Sequence, residues 1–334
     1  MGPVNKTIKK TAIFILKFSV SATLFYILIS KIGGNKLIEN LSMVSPIAFI
    51  AAIGIYLISS YLSSLRWKLL IPKHMKTKKV FAMNMIGAFF NTCMPGIVGG
   101  DAVKAYYLSR ELKKDNTSLN NKEQSDDKNH SQSQSRFAEN IVAIASVFTD
   151  RYIGFSALLL ISITAFPFGF KYLEGTPVKW LMPLILVIFV SVSIAIFKFR
   201  IGERLKFLLK AYEYFRLYSA KKNVLFKAFL YSLCVQISGF ISVYILSKGL
   251  SLDISFLSLL IFLPIIILIS LIPVSISGIG LREGAFVFLL SAIGIAQDKS
   301  LALSLLWFLS VVVASLWGLF EYLRYKVPIG KETE

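Results

Sequence analysis

Long apolar blocks alternate with polar segments along the whole chain. The six uninterrupted blocks are 11–30, 46–65, 140–165, 180–197, 225–247 and 301–320. A helical apolar stretch of about 20 residues matches the thickness of the hydrocarbon core of a bilayer. The pattern therefore predicts an all-α polytopic membrane protein with about six full spans, forming a single transmembrane domain over residues 1–334.

Two further apolar regions are interrupted. The region 80–98 runs into the sequence NTCMPGIVGGD, and the region 254–296 contains PVSISGIGLREG. Proline removes a helical hydrogen bond, and glycine adopts backbone conformations that other residues avoid. Each region is therefore predicted to form a broken helical hairpin rather than a continuous span.

The distribution of charge orients these segments. The chain carries 37 basic and 18 acidic residues, a formal net charge of +19. Basic residues concentrate in the N-terminal segment, in loops 66–79 and 198–227, and in the C-terminal tail. Basic loops stay in the cytoplasm, so both termini are predicted to be cytoplasmic in a cell membrane. The placement of basic loops on the cytoplasmic side and contacts with anionic lipid account for the excess of basic residues. No nucleic acid is therefore expected as a partner.

The same rule predicts how the interrupted regions are inserted. Loops 66–79 and 110–136 are both basic, so residues 80–109 must enter and leave through the cytoplasmic face. Residues 254–296 must enter and leave through the outer face. Two broken hairpins of opposite orientation are typical of transporters built from inverted repeats, and such a repeat is a possibility here.

The segment 113–135 is polar and low in complexity. Such a segment buries too little apolar surface to order itself, so it is predicted to be a disordered cytoplasmic insertion.

The first polar group follows the apolar region 80–90. Its members are Asn91, Pro95, Gly96, Gly99, Gly100, Asp101 and, one helical turn further, Lys104. Two interpretations remain open. Asp101 has the residue type and position of a helix N-cap. Alternatively, the glycines let the backbone approach a ligand, and Lys104 faces an anion.

The second group is Asp150 and Arg151, about ten residues inside an apolar block. A charge at that depth costs at least about 2.5–3.5 kcal/mol, so both side chains are expected to face the bundle interior. Adjacent helical residues point about 100° apart, so each should have its own partner. The pair is either a structural ion pair or part of a binding site.

The third group is the polar turn at Pro273 and the residues after it. Its candidate binding residues are Ser275, Ser277, Gly278, Gly280, Arg282 and Glu283. An arginine offers a planar set of donors suited to phosphate. Glu283 also suits the first turn of a helix. In a fourth group, Arg66 and Trp67 are predicted to anchor the protein at the cytoplasmic membrane interface.

Motifs of enzymes and metal sites do not occur. The sequence has no P-loop, no HExxH and no nucleophile elbow, and its two cysteines and two histidines show no metal-binding spacing. We therefore expect no cofactor, no metal and no enzymatic activity. Any transport should be passive, or driven by an ion gradient or the membrane potential.

The four groups together carry a resemblance. RW at Arg66, N…PGIVGGDAVKAYYL from Asn91, DRYIG from Asp150 and PVSISGIGLREGAF from Pro273 occur in this order along nearly the whole chain. In these motifs the chain resembles the flippase-like family typified by the transmembrane region of lysylphosphatidylglycerol synthase. In two-part members a soluble aminoacyltransferase domain makes an aminoacylated lipid, which the membrane part moves between leaflets. This chain ends at Glu334, so the resemblance implies a stand-alone membrane module without the synthase chemistry.

The expected function is therefore translocation or binding of a lipid. The lipid would be an anionic or aminoacylated phospholipid, or a polyprenyl-linked lipid. Lys104, Arg151 and Arg282 would hold its phosphate, while Asp101, Asp150 and Glu283 would balance charge or bind a cationic group.

Three alternatives remain open. They are a non-transporting partner of a lipid-modifying enzyme or glycosyltransferase, a membrane transferase, and an ion-coupled solute carrier. No oligomeric state follows from the sequence.

Overall fold

A computed structural model describes residues 19, 22–23, 26–30, 33–93, 99–120, 128–173, 177–197, 221–272, 274–275 and 278–325. All regular secondary structure in these residues is helical. The α-helices are α1 (Gly34–Ser42), α2 (Pro46–Leu70), α3 (Thr77–Cys93), α4 (Gly99–Asn120), α5 (Lys128–Leu173), α6 (Leu181–Phe197), α7 (Lys222–Gly249), α8 (Phe256–Ser270), α9 (Leu281–Ser291) and α10 (Gln297–Arg324). A short 3₁₀ helix, Pro177–Trp180, precedes α6.

Four of the described helices are long and apolar enough to cross a membrane. They are α2, the Glu139–Phe168 part of α5, α7 and α10. These helices confirm the predicted all-helical membrane protein. The block 180–197 forms the shorter apolar helix α6, and most of the block 11–30 lies outside the described residues. The total of six spans and the inverted repeat stay predictions.

Both interrupted regions contain a break between two helices, as predicted. Helix α3 ends at Cys93 and α4 begins at Gly99, while α8 ends at Ser270 and α9 begins at Leu281. Gly278 and Gly280 have φ angles of 76° and 86°, which side chains with a Cβ rarely adopt. The polar turn before α9 therefore needs glycine at these two positions.

Close glycine packing holds the first hairpin together. A Cβ atom on Gly100 would lie 1.9 Å from the carbonyl oxygen of Gly87 on α3. Only hydrogen at this position lets α3 and α4 cross at such a short distance. Gly100 thus fixes the position of α4 and of the charged residues on it.

Helix is present in part of the segment 113–135, and its predicted disorder stays a prediction. Helix α4 continues to Asn120 and α5 begins at Lys128, so helix covers most of the segment, and residues 121–127 lie outside the described residues. Extension of an existing helix adds a hydrogen bond for each residue fixed, whereas starting a new helix is costly. The polar residues here extend helices that the neighbouring apolar segments begin.

The two hairpins meet at α10. Helix α3 of the first hairpin and α9 of the second both pack on α10, and α2 packs along α7. Helix α8 lies in the middle of the main core, where Phe262 and Ile265 are fully buried. This arrangement brings α2, α5, α7 and both hairpins around a shared interior space.

Candidate functional site

A buried ion pair joins two of the membrane-spanning helices. Arg66 on α2 donates from Nε and Nη2 to the two carboxylate oxygens of Asp150 on α5, at 2.7 and 3.0 Å. Its Nη1 donates to the hydroxyl of Ser232 on α7 at 3.0 Å. The side chains of Arg66 and Asp150 are 6% and 2% exposed. The expectation that Arg66 anchors the protein at the membrane interface was wrong, because α2 continues to Leu70 and turns Arg66 inward.

Lys104 extends this ion pair to the first hairpin. Its ammonium nitrogen lies 3.8 Å from Oδ2 of Asp150 and 4.4 Å from the ring centroid of Trp67. Trp67 is fully buried and donates from its indole nitrogen to the hydroxyl of Ser146 at 3.3 Å. The interface assignment of Trp67 is therefore also corrected: its ring is buried and packs against the ammonium of Lys104.

A second two-contact ion pair connects α4 to α5. Arg151 donates from Nε and Nη2 to the carboxylate of Asp101 at 2.8 and 2.7 Å. Asp101 is in the first turn of α4 and does not have the N-cap role that one interpretation gave it. The side-chain oxygen of Asn91 instead accepts from the backbone amide of Gly100 at 2.8 Å. Asp150 and Arg151 thus have different partners, as their helical spacing predicted.

The third pair lies at the start of α9. The guanidinium of Arg282 contacts the carboxylate of its neighbour Glu283, and Glu283 accepts from the backbone amide of Gly280 at 2.6 Å. Glu283 is fully buried, and the Arg282 guanidinium lies 4.5 Å from the ring centroid of Phe308 on α10. Glu283 therefore caps its own helix and holds Arg282 in place, and Phe308 supports the guanidinium from one side.

These charged side chains surround two adjoining cavities. The first has a volume of about 400 Å³ and is bordered by Arg66, Lys104, Asp150, Arg151 and Arg282, with serine and asparagine side chains of α2 and α3. The second has a volume of about 750 Å³ and has eight lining residues in common with the first. Its other walls are largely apolar and include Phe148, Phe155, Leu158, Phe189, Ile267, Leu271 and Trp307.

The predicted site residues separate into three sets. Those that line the cavities are Asn91, Asp101, Lys104, Asp150, Arg151 and Arg282. Those that shape the backbone or support a lining residue from behind are Gly99, Gly100, Gly278, Gly280 and Glu283, while Ser275 is buried and lines neither cavity. Pro95, Gly96 and Ser277 lie outside the described residues.

Sequence reasoning missed several lining residues on the long helices. Ser59 and Ser63 lie one helical turn apart on α2, with Tyr56 and Arg66 on the same side of the helix. Gln236 on α7 lines the larger cavity and donates to the carbonyl oxygen of Gly154 at 3.1 Å. The signal was the recurrence of polar residues every three or four positions within an apolar span, which marks the side that faces the bundle interior.

Comparison with known proteins agrees with this architecture. The model of the family described as lysylphosphatidylglycerol synthase TM region matches residues 14–318. The chain belongs to this family. It is also similar to the UPF0104 membrane protein MJ1595 of Methanocaldococcus jannaschii, with 26% identity over 187 residues. That match covers 53% of this chain and 46% of the relative, so the chain spans about half of the relative's length. The three arginines, their carboxylates and Lys104 all lie within the part that matches the family.

Proposed function

We propose that this membrane protein binds a lipid with a phosphate-bearing headgroup and moves it between the two leaflets of the membrane. The observation that carries the proposal is the adjacency of the two cavities: a polar one with four basic side chains opens beside a larger one with mostly apolar walls. An amphipathic molecule has the same division between a charged end and an apolar end.

The energetic obstacle to lipid exchange is the headgroup. An unpaired charge is far more costly to place in hydrocarbon than the thermal energy can supply, whereas acyl chains cross without cost. Lys104, Arg151 and Arg282 line the polar cavity and offer N–H donors to a phosphate group. Replacement of headgroup hydration by these donors is the contribution that the protein makes.

The different exposure of two of the ion pairs suggests an order of events. The side chain of Arg151 is 56% exposed, whereas that of Arg66 is 6% exposed. A headgroup that enters the cavities would therefore meet the more exposed Arg151–Asp101 pair before it reaches Lys104 and the buried pair. An inside-negative potential of 100 mV favours outward movement of one negative charge by about 2.3 kcal/mol, which gives the transport a direction without a nucleotide.

Leaflet exchange in reconstituted vesicles tests the proposal. The full chain is inserted into vesicles that carry a trace of phosphatidylglycerol labelled with a fluorophore on its acyl chain, and an impermeant reductant bleaches the outer leaflet. The protein should make the inner-leaflet label accessible, and Arg151→Gln should slow that exchange. Arg324→Gln is the matched control, because Arg324 is exposed at the end of α10 and lines neither cavity.

Two results would contradict the proposal. Vesicles that contain folded protein but show no exchange of any phosphate-bearing lipid would favour a non-transporting partner of a lipid-modifying enzyme. Equal slowing by Arg151→Gln and Arg324→Gln would indicate an effect of total charge rather than an effect on the two cavities.

A further inference from the structure

The positive and negative side chains around the two cavities are unequal in number. Three arginines each have a carboxylate of their own, and the pairs are Arg66–Asp150, Arg151–Asp101 and Arg282–Glu283. Lys104 is a fourth cation, and among the described residues the cavities are lined by no carboxylate other than Asp101 and Asp150. The described part of the site therefore carries one unmatched positive charge.

The geometry around Lys104 shows that Asp150 does not satisfy it. Both oxygens of Asp150 already accept hydrogen bonds from Arg66, and Oδ2 lies 3.8 Å from the Lys104 ammonium, beyond hydrogen-bond distance. The face of Trp67 attracts the ammonium but provides no hydrogen-bond acceptor of ordinary strength. An ammonium group has three N–H donors, and no hydrogen bond from the Lys104 ammonium occurs within the described ranges.

This unsatisfied cation is also buried. Lys104 is 3% exposed, and it borders the polar cavity. A buried charge without a counter-charge is strongly unfavourable, so an anion beside it would stabilise the site. The two segments nearest to the hairpin breaks, 94–98 and 276–277, contain no acidic residue that could supply the missing charge.

We infer that the polar cavity takes a headgroup with a single negative charge, a phosphodiester, and that Lys104 is its main cationic contact. The inference rests on the proposed function and specifies its substrate class. A zwitterionic headgroup would bring no net charge to offset Lys104. A second negative charge, as on a phosphomonoester, would find no further unmatched cation in the described site.

Equilibrium binding to lipids of different headgroup charge tests this assignment. The full chain in neutral detergent is titrated with short-chain phosphatidylcholine, phosphatidylglycerol and phosphatidic acid, which carry no net charge, one negative charge and up to two. Binding is measured by calorimetry, with tryptophan fluorescence as a second readout because Trp67 lies against Lys104. One charged hydrogen bond corresponds to about tenfold or more in affinity, so phosphatidylglycerol should bind at least about tenfold more tightly than phosphatidylcholine. Phosphatidic acid should bind less than about threefold more tightly than phosphatidylglycerol, because no second unmatched cation is available in the described site.

Variants of Lys104 assign the preference to this side chain. Lys104→Gln should remove the preference for phosphatidylglycerol, and Lys104→Arg should keep most of it. Lys78→Gln is the matched control, because Lys78 is exposed and lines neither cavity. Soluble glycerophosphoglycerol separates a lipid site from a site for a free solute and should bind more weakly than the lipid.

Different outcomes refute different parts of the inference. Equal binding of phosphatidylcholine and phosphatidylglycerol by the unaltered chain would overturn the charge assignment, and this test requires no variant. A preference that persists in Lys104→Gln, or a large gain with phosphatidic acid, would also overturn it. Equal affinity for glycerophosphoglycerol would overturn the lipid assignment. Absence of binding to every lipid would overturn the proposed function itself and the inference with it.

Discussion

Two ion pairs of the site have nearly the same geometry but very different surroundings, which leads to a quantitative prediction. Arg66–Asp150 and Arg151–Asp101 are both two-contact pairs with donor–acceptor distances between 2.7 and 3.0 Å. The first pair is buried on both sides, whereas the side chain of Arg151 is 56% exposed. Asp150→Asn and Asp101→Asn are therefore the same chemical change in two environments.

The expected costs follow from this difference in burial. Asp150→Asn leaves the guanidinium of Arg66 inside the bundle without a counter-charge, next to the already unmatched ammonium of Lys104. Loss of one partner from a buried pair costs about 3–5 kcal/mol of unfolding free energy. Asp101→Asn leaves an arginine whose side chain is 56% exposed and borders both cavities, and exposed pairs contribute about 0–1 kcal/mol. The buried variant should thus be less stable than the exposed variant by at least about 2 kcal/mol.

Unfolding of the purified chain in mixed micelles with increasing sodium dodecyl sulfate measures this difference. Asp253→Asn is a matched control, because Asp253 is fully exposed and lies 3.7 Å from Lys248 at the surface. The stability of the Asp253→Asn variant should equal that of the unaltered chain. The double variant Arg66→Met with Asp150→Asn should recover part of the loss, because it removes the uncompensated arginine as well. Equal destabilisation by Asp150→Asn and Asp101→Asn would refute the reasoning.

Two further predictions concern the parts of the fold that hold the site. Gly100→Ala should push α4 away from α3, because the new Cβ would lie 1.9 Å from the Gly87 oxygen. The variant should therefore have a lower melting temperature and a lower lipid exchange rate. In Gly54→Ala the new Cβ meets no atom within 4 Å, so both quantities should stay unchanged. Tyr325→Phe should cost about 0.5–3 kcal/mol in the same unfolding assay, because Tyr325 donates a hydrogen bond to Glu111 at 2.9 Å and thereby ties the end of α10 to α4. Burial, and then this hydrogen bond, raise the pKa of Tyr325, so its hydroxyl should remain protonated at alkaline pH where exposed tyrosines ionise. A stability of Tyr325→Phe equal to that of the unaltered chain, or ionisation of Tyr325 together with the exposed tyrosines, would contradict this account.

The sequence predicted the helices and their breaks because both depend on local chemistry. Apolar blocks of membrane length and runs of proline and glycine are visible without knowledge of the fold. The expectation that Asp150 and Arg151 have different partners rested only on helical geometry, and it was correct. The depth of these two charges also predicted that both side chains face the interior. That was correct for Asp150, whereas the side chain of Arg151 is 56% exposed.

The partners themselves could not be predicted. Arg66 and Asp150 are 84 positions apart, and their contact depends on how α2 and α5 pack. The apolar block ends at residue 65, so Arg66 was assigned to the basic loop that follows it. In the structure α2 continues past Arg66 to Leu70. Asp101 was given a capping role that belongs to Asn91, since a capping interaction across a hairpin break depends on the tertiary structure.

The central claim is that one lipid occupies both cavities, with its headgroup near Lys104 and its chains between Phe189 and Trp307. Photo-cross-linking tests it most directly. Phosphatidylglycerol that carries a photoreactive group either on its headgroup or at the end of an acyl chain is added to the full chain, and the cross-linked peptides are identified by mass spectrometry. Headgroup probes should label α4 and α5 near Lys104 and Arg151, and chain probes should label α6 and α10 near Phe189 and Trp307. Labelling confined to the exposed side of α10, at Trp317 and Phe320, would contradict the account.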